Sequence, residues 1–215
     1  MTRLLSVKKT REAIAIMAQC FPHAACELVH RNAYELLIAV ILSAQATDVS
    51  VNKVTPNLFQ KYPTPEALAQ SSLEEVMNCI RTLGLYRNKA INIRKCAEQL
   101  VTEFNSTVPS GQKELESLAG VGRKTANVVR SVAFGIPALA VDTHVERVSK
   151  RLGICSKEAT VIEVEETLKK KLLKSTWSDA HHYLIFWGRY HCTARKPKCE
   201  ECPLLYLCPE GQSRV

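Results

Sequence analysis

Apolar residues along this chain recur at intervals of three and four, and the alternation expected of a half-buried strand is nearly absent. Ala90, Ile93, Ala97, Leu100 and Phe104 trace one stripe of an amphipathic helix. The segment AYELLIAVIL, residues 33 to 42, is apolar almost all round and predicts a buried central helix. Polar residues mark the helix starts. Asn32 to Glu35, Ser72 to Glu75 and Thr160 to Glu163 each read as a capping box, and Thr64–Pro65 as an N-cap with proline in the first turn. Gly84, Gly135 and Gly153 each follow an apolar stretch, where a left-handed helix terminator is expected. Pro56 is expected to start a helix after Thr55 rather than to lie inside one. The result is about ten helices with short connections, without a solenoid-length repeat: an all-α protein.

Composition narrows this further. At roughly 150 residues per domain, 215 residues make one large domain or two small ones. Hydrophobic residues at 46% against 23% charged exclude a disordered chain. The longest apolar run, Leu36 to Leu42, is far shorter than the roughly 18 residues a membrane helix needs. Charges are scattered through MTRLLSVKKTREAIAIM, where a secretory signal has an unbroken apolar core. A soluble, cytoplasmic protein with no membrane partner is expected. Its 29 Lys+Arg against 21 Asp+Glu leave +8, a surplus that favours a polyanion, most commonly nucleic acid.

The nine cysteines form two groups. An odd number without an export signal argues against a disulfide framework. Cys20, Cys26, Cys79, Cys96 and Cys155 are scattered and read as small buried hydrophobes. Cys192, Cys199, Cys202 and Cys208 make C-x6-C-x2-C-x5-C near the C-terminus, a thiolate set that suits either tetrahedral zinc or an iron–sulfur cluster. Arg195, Lys196 and Lys198 lie between the first two, as a basic loop facing phosphates or as a solvated charge run.

The most informative stretch is LESLAGVGRKTANVVRSVAFG, residues 115 to 135. A short helix ending near Leu118 meets Gly120–Val121–Gly122, and a second helix runs from about Arg123 to Phe134. Two glycines one residue apart allow a tight turn and leave backbone N–H groups uncovered beside a helix N-terminus, a cradle for one phosphate. Lys124 has two readings. It is a phosphate-facing cation, or an amine nucleophile whose unprotonated form burial, Arg123 and the helix dipole favour. Asp142, before Thr143–His144–Val145, reads as a helix N-cap.

The hairpin and Lys124, followed eighteen residues later by Asp142 in AVDTHVERV, resemble the helix–hairpin–helix DNA glycosylase superfamily in its bifunctional endonuclease III branch. SAQATDVSVNK (43–53) and TLGLYRNKA (82–90) are similar to that family's DNA-facing segments, and WGRYHCTARKPKCEECPLLYLC (187–208) to its cluster region. The likeness covers essentially the whole chain. It implies a two-lobed helical fold, with residues 23–135 as a helical barrel carrying the hairpin and 1–22 plus 136–215 as a cluster domain, the DNA site lying between them. It also implies that Lys124 is the nucleophile, Asp142 its carboxylate partner, and Cys192, Cys199, Cys202 and Cys208 the ligands of a 4Fe–4S cluster. Gln45 would fill the space left by an extruded base and Leu85 would wedge into the stack; their other readings are a helix cap and a core residue. Gly120, Val121, Gly122, Arg123, Arg195, Lys196 and Lys198 would meet the DNA backbone, and Asp48 and His144 would border the pocket.

The implied activity is removal of oxidised pyrimidines from duplex DNA through a Schiff base, with β-elimination at the abasic site, by a monomer associated with the nucleoid. The rival readings are a glycosylase for mismatched or alkylated bases and a non-catalytic DNA-binding protein, which would not need the Lys124–Asp142 pair.

Overall fold

Residues 4–215 are described by a computed structural model; residues 1–3, the start of the basic N-terminal stretch, lie outside the described residues. The helices are α1 (Val7–Cys20), α2 (Ala33–Leu42), α3 (Asp48–Lys61), α4 (Pro65–Ala69), α5 (Leu73–Cys79), α6 (Tyr86–Glu103), α7 (Gln112–Ser117), α8 (Arg123–Phe134), α9 (Thr143–Arg151), α10 (Val161–Lys171), α11 (Trp177–Phe186) and α12 (Pro209–Gln212). A π-helical turn, Trp187–His191, continues α11. Among the described residues there is no strand. The chain divides into two units: Cys26–Ile136, and the described residues up to Ala25 with Pro137–Val215.

In the first unit α2 is the buried centre, its residues Tyr34 to Leu42 all inaccessible. Even Glu35 is buried, because its carboxylate accepts the Arg31 backbone N–H and the Arg31 guanidinium at 2.8 Å each. That contact takes the second arm of the expected capping box, so Asn32 caps Glu35 N–H while Glu35 reaches back to Arg31. Around α2 lies α6, which buries the expected Ala90, Ile93, Ala97 and Leu100. Thr160 and Glu163 form the complete reciprocal box, and Thr64–Pro65 starts α4 as expected.

Two expectations about helix boundaries fail. Pro56 lies inside α3, not at a helix start. Proline forfeits a hydrogen bond to the carbonyl four residues back and crowds it, but Pro56 is exposed. Water can reach that turn, and burial of Val51, Val54, Leu58 and Phe59 on the opposite face holds the helix together. Gly84 ends no helix; α5 stops at Ile80, and the left-handed residue is the next one, Leu85 (φ 58°). Gly135 and Gly153 do take the left-handed conformation, Gly135 as the C-cap of α8 and Gly153 just beyond the C-cap of α9.

The second unit packs α1, α9, α10 and α11 with the C-terminal tail, whose Leu204, Leu207 and Cys208 enter the same core as Met17, Val145, Val148 and Trp187. Lys171 fastens it by donating to the carbonyls of Leu5 (2.7 Å) and Ile154 (2.6 Å). Of the scattered cysteines only Cys96 and Cys155 are the buried hydrophobes expected. Cys26 and Cys79 are half-buried, and Cys20, the last residue of α1, is exposed although it continues the spacing of Ala13 and Met17. Burial pushes the Cys96 thiol up to about 12.

Candidate functional site

The hairpin between α7 and α8 is closed by Val121 N–H donating to Leu118 O (3.1 Å) and by Gln99 of α6, which accepts from Ala119 N–H (2.7 Å) and donates to Ser117 O (3.1 Å). Its two glycines differ in kind. Gly120 has φ +78°, and a Cβ there would lie 2.9 Å from Ile41 Cγ2 and 3.0 Å from Asn92 Cβ; the turn and the packing both require glycine. Gly122 has an ordinary extended backbone and nothing within 4 Å of a would-be Cβ, so its bare backbone faces open space. It is the N-cap of α8, which has no side-chain cap and no acidic residue in its first turn. The positive end of that dipole is left for an external anion.

Arg123 and Lys124, the first two residues of α8, are exposed, whereas Val121 turns inward and is buried. Burial was one of the conditions that would favour a reactive amine at Lys124, and the free protein does not supply it. Lys89 of α6 is the contrasting amine, one the sequence reading passed over. It is 4% exposed, its Nζ has no hydrogen-bond partner, and burial lowers its pKa.

Gln45 and Leu85 share an unusual backbone. The non-glycine residues with positive φ among the described residues are Gln45 (53°), Leu85 (58°), Asn105 and Ser106. The last two follow the end of α6, where Ser106 N–H donates to Leu100 O and closes the helix. Gln45 is at the tip of a turn closed by Ala46 N–H to Ser43 O (3.0 Å), in the position that glycine favours. Leu85 is the uncapped N-cap of α6, with 57% of its surface exposed. The left-handed region costs such residues about 1–3 kcal/mol, strain that concentrates at functional sites. Both side chains lie at the surface, so neither is a core residue, and the caps on either side of Gln45 are Ser43 and Thr47. Asp48 is the first residue of α3, behind the Thr47 cap, and is half-buried.

In the second unit, Asp142 is the N-cap of α9. Its Oδ1 accepts from His144 N–H (2.9 Å) and Val145 N–H (2.8 Å), which directs the carboxylate and leaves Oδ2 outside the cap. The same helix holds the cysteine loop through two arginines absent from the sequence reading. Arg147 donates to Gly188 O (2.7 Å) and Cys192 O (3.2 Å), and Arg151 to Thr193 O (2.7 Å) and Ala194 O (2.8 Å). His144 is half-buried against this joint. Its Nδ1 lies 3.2 Å from Arg147 Nη2, and a Cβ on Gly188 would come within 2.8 Å of its Cβ. Burial holds the His144 ring below the usual histidine range, against the raising effect of Asp142.

Cys192, Cys199, Cys202 and Cys208 line one cavity. Among the described residues no three His, Cys, Asp or Glu side chains gather tightly enough for a single ion. The four thiols share that cavity as an all-sulfur donor set, the chemistry that iron–sulfur clusters take. Burial pushes Cys202 up to about 11 and raises Cys208 as well, so thiolates here need a cationic group to face. Arg195, Lys196 and Lys198 are exposed on the loop, which is braced by Thr193 Oγ1–H to Lys196 O (2.6 Å) and Lys198 N–H to His191 O (3.2 Å).

Residues 38–174 match the HhH-GPD superfamily of base excision DNA repair proteins, and residues 192–208 the iron–sulfur binding domain of endonuclease III. Endonuclease III of Bacillus subtilis is 56% identical over 98% of this chain and 96% of its own length. This chain belongs to the endonuclease III family. A solved structure of a trapped endonuclease III–DNA covalent intermediate is 58% identical, with TM-score 0.96 over 98% of this chain and 99% of that one. A thermostable thymine-DNA glycosylase is 25% identical, with TM-score 0.87 over 96% and 98%. As an endonuclease III family member the chain is a DNA glycosylase and abasic-site lyase of base excision repair, with a 4Fe–4S cluster.

The hairpin glycines separate binding from folding in this family member. Gly122→Ala is expected to stay folded, losing at most about 1 kcal/mol through the poorer N-cap because nothing crowds a Cβ there, yet to bind duplex DNA at least ~10-fold more weakly if the hairpin cradles a phosphate. Gly120→Ala is expected to lose about 1–3 kcal/mol of stability through its strained φ. Parent-like DNA affinity for Gly122→Ala in a filter-binding titration would remove the hairpin from the DNA contact.

Proposed function

We propose that this chain removes oxidised pyrimidines from duplex DNA and then nicks the abasic site, with Lys124 as nucleophile and Asp142 as its carboxylate partner. The observation that carries the reading is the strained, exposed pair Gln45 and Leu85 in the same unit as an uncapped hairpin followed by an exposed lysine. A pair of left-handed residues of this kind serves a protein that must enter a base stack, because an extruded nucleotide leaves a gap to be filled. Gln45 occupies that gap and meets the estranged base, and Leu85 separates the neighbouring step. The hairpin amides of Gly120 and Gly122, with Arg123, hold one phosphate, while the Val121 N–H is engaged by Leu118 O and braces the turn instead of meeting DNA as the resemblance implied.

In the reaction, Lys124 Nζ attacks the anomeric carbon as the base departs with the bonding electrons and takes up a proton. The attached nitrogen then gives up a proton, and its lone pair breaks the C1′–O4′ bond as the ring oxygen takes up a proton, so the sugar opens and the imine forms. Its electron demand acidifies the adjacent sugar carbon, and removal of that proton expels the 3′ phosphate. Water then hydrolyses the imine and frees Lys124. Asp142 stabilises the positive charge that develops on the sugar and relays protons, its direction set by the α9 cap. Asp48 and His144 border the base pocket. A relative captured as a covalent DNA intermediate supports nucleophilic chemistry of this kind.

Cys192, Cys199, Cys202 and Cys208 would hold the cluster, which when bound would supply a rigid anchor for the loop. Arg195, Lys196 and Lys198 on that loop meet phosphates. On this reading the enzyme acts as a monomer and works in the cytoplasm on nucleoid DNA.

If about four to six phosphates are neutralised, a plot of log K against log salt is expected to have a slope of about −4 to −5. Lys196→Ala or Lys198→Ala should each reduce that slope by up to about one and weaken binding to damaged and undamaged DNA alike. An effect confined to damaged DNA would instead place that lysine at the lesion.

A panel of single-lesion duplexes tests the function itself. Oxidised pyrimidines should be excised and the strand cut, whereas preferred release of thymine from a mismatch or of alkylated bases would overturn the substrate assignment. On the same panel Leu85→Ala and Gln45→Ala should slow action on a base-paired lesion far more than on an abasic site, where the opening cost of a few kcal/mol is reduced. Equal losses on both substrates would return these two residues to a general binding role.

A further inference from the structure

Six buried side-chain polar atoms among the described residues have no hydrogen-bond partner, and one of them, His191 Nε2, belongs to a residue lining the cysteine cavity. His191 immediately precedes Cys192, and its surroundings leave the ring little freedom. The π-helical turn closes with Cys192 N–H donating to Trp187 O, five residues back, at 2.7 Å. That extra residue per turn stacks the imidazole on Trp187, with ring centroids 4.5 Å apart and planes at 37°. Trp187 is almost fully buried, and His191 O is engaged by Lys198 N–H. Turns of this π type recur where a fold directs a side chain for function.

A buried ring nitrogen without a partner carries the full desolvation cost of a polar group. The four thiols that share its cavity are proposed above to hold the 4Fe–4S cluster, and the present inference rests on that reading. Sulfide and thiolate sulfurs only accept hydrogen bonds. A nitrogen satisfied by them must therefore carry the hydrogen. Donors to sulfur are already built into the site: Arg151 Nη1 lies 3.5 Å from Cys192 Sγ, and Gly211 N–H lies 3.2 Å from Cys208 Sγ.

We propose that His191 Nε2–H donates a hydrogen bond to a sulfur of the cluster and sets its reduction potential. One added electron increases the negative charge on the sulfurs, so a fixed donor stabilises the reduced form more than the oxidised one and raises the potential. His191 is a positioning and tuning residue in this sense, remote in role from the attack at Lys124.

The test uses the purified full-length holoprotein with iron and inorganic sulfide counted. With [15N]histidine label, pulsed EPR of the paramagnetic cluster should detect one weakly coupled 15N and an exchangeable deuteron in heavy water. Both signals should vanish in His191→Phe, whose potential in voltammetry should move to a more negative value at unchanged iron content. His191→Gln, which retains an N–H donor, should recover part of the shift. A fully loaded parent protein without 15N coupling overturns the inference, and so does a His191→Phe protein with unchanged potential. If His191→Phe fails to retain its cluster, the 15N result on the parent decides alone. Stoichiometric zinc without sulfide would overturn the ligand reading, and this inference with it.

Discussion

Lys124→Gln is expected to abolish strand cleavage at abasic sites while leaving a folded protein that still binds them. Glutamine keeps most of the side-chain length and removes the amine. Lys124 is exposed on the first turn of α8, so its loss leaves no cavity and no orphaned partner in the core. The melting temperature should therefore stay near the parent's, because surface changes of this kind fall within about 0.5 kcal/mol. Cleavage should drop by at least ~1,000-fold, since without the amine no imine forms to acidify the sugar. Borohydride added during turnover should attach the parent protein covalently to DNA, with the link mapping to the peptide that contains Lys124. The informative competitor is Lys89, the buried amine without a partner in α6. A cross-link mapping to Lys89 or to the N-terminal amine would reduce the hairpin to a phosphate clamp and withdraw both catalytic assignments.

The second large effect concerns Asp142→Asn. Asparagine caps a helix as well as aspartate does, so the bonds to His144 and Val145 N–H survive and α9 should keep its start. What disappears is the negative charge facing the developing cation on the sugar. Base removal should slow by at least ~100-fold, the scale on which preorganised electrostatic stabilisation acts. Asp142→Ala separates the two roles, because it also forfeits the cap and should lose about 1 kcal/mol of stability. Single-turnover excision by Asp142→Asn within ~3-fold of the parent would leave Asp142 as a cap and nothing more. A melting temperature well below the parent's for the same variant would trace its loss of rate to the fold.

Much of this protein is legible along the chain because much of it is decided over three or four residues. Side chains at i, i+3 and i+4 share a helix face, so α2 and the buried stripe of α6 could be read directly. Caps act over the same distance, which is why Asn32, Thr64, Asp142 and Thr160 all mark their helices correctly. The hairpin from Leu118 to Arg123 and the spacing of the four cysteines are equally local.

Tertiary structure decided whatever depends on distant partners. Pro56 stays inside α3 because the opposite face of that helix is buried, a condition its neighbours in sequence do not state. Gly120 and Gly122 look alike in sequence, and only the approach of Ile41 and Asn92 shows that the fold needs the first and leaves the second open. The left-handed backbones of Gln45 and Leu85 violate local preference, so no propensity could have announced them. Arg147 and Arg151 hold a loop more than forty residues away, and His191 acquires its meaning from the cavity it shares with the cysteines. Local physics wrote the helices and their ends into the sequence. The strain, the long-range arginine ties and the unpartnered nitrogen arise only when segments far apart in the chain are packed together.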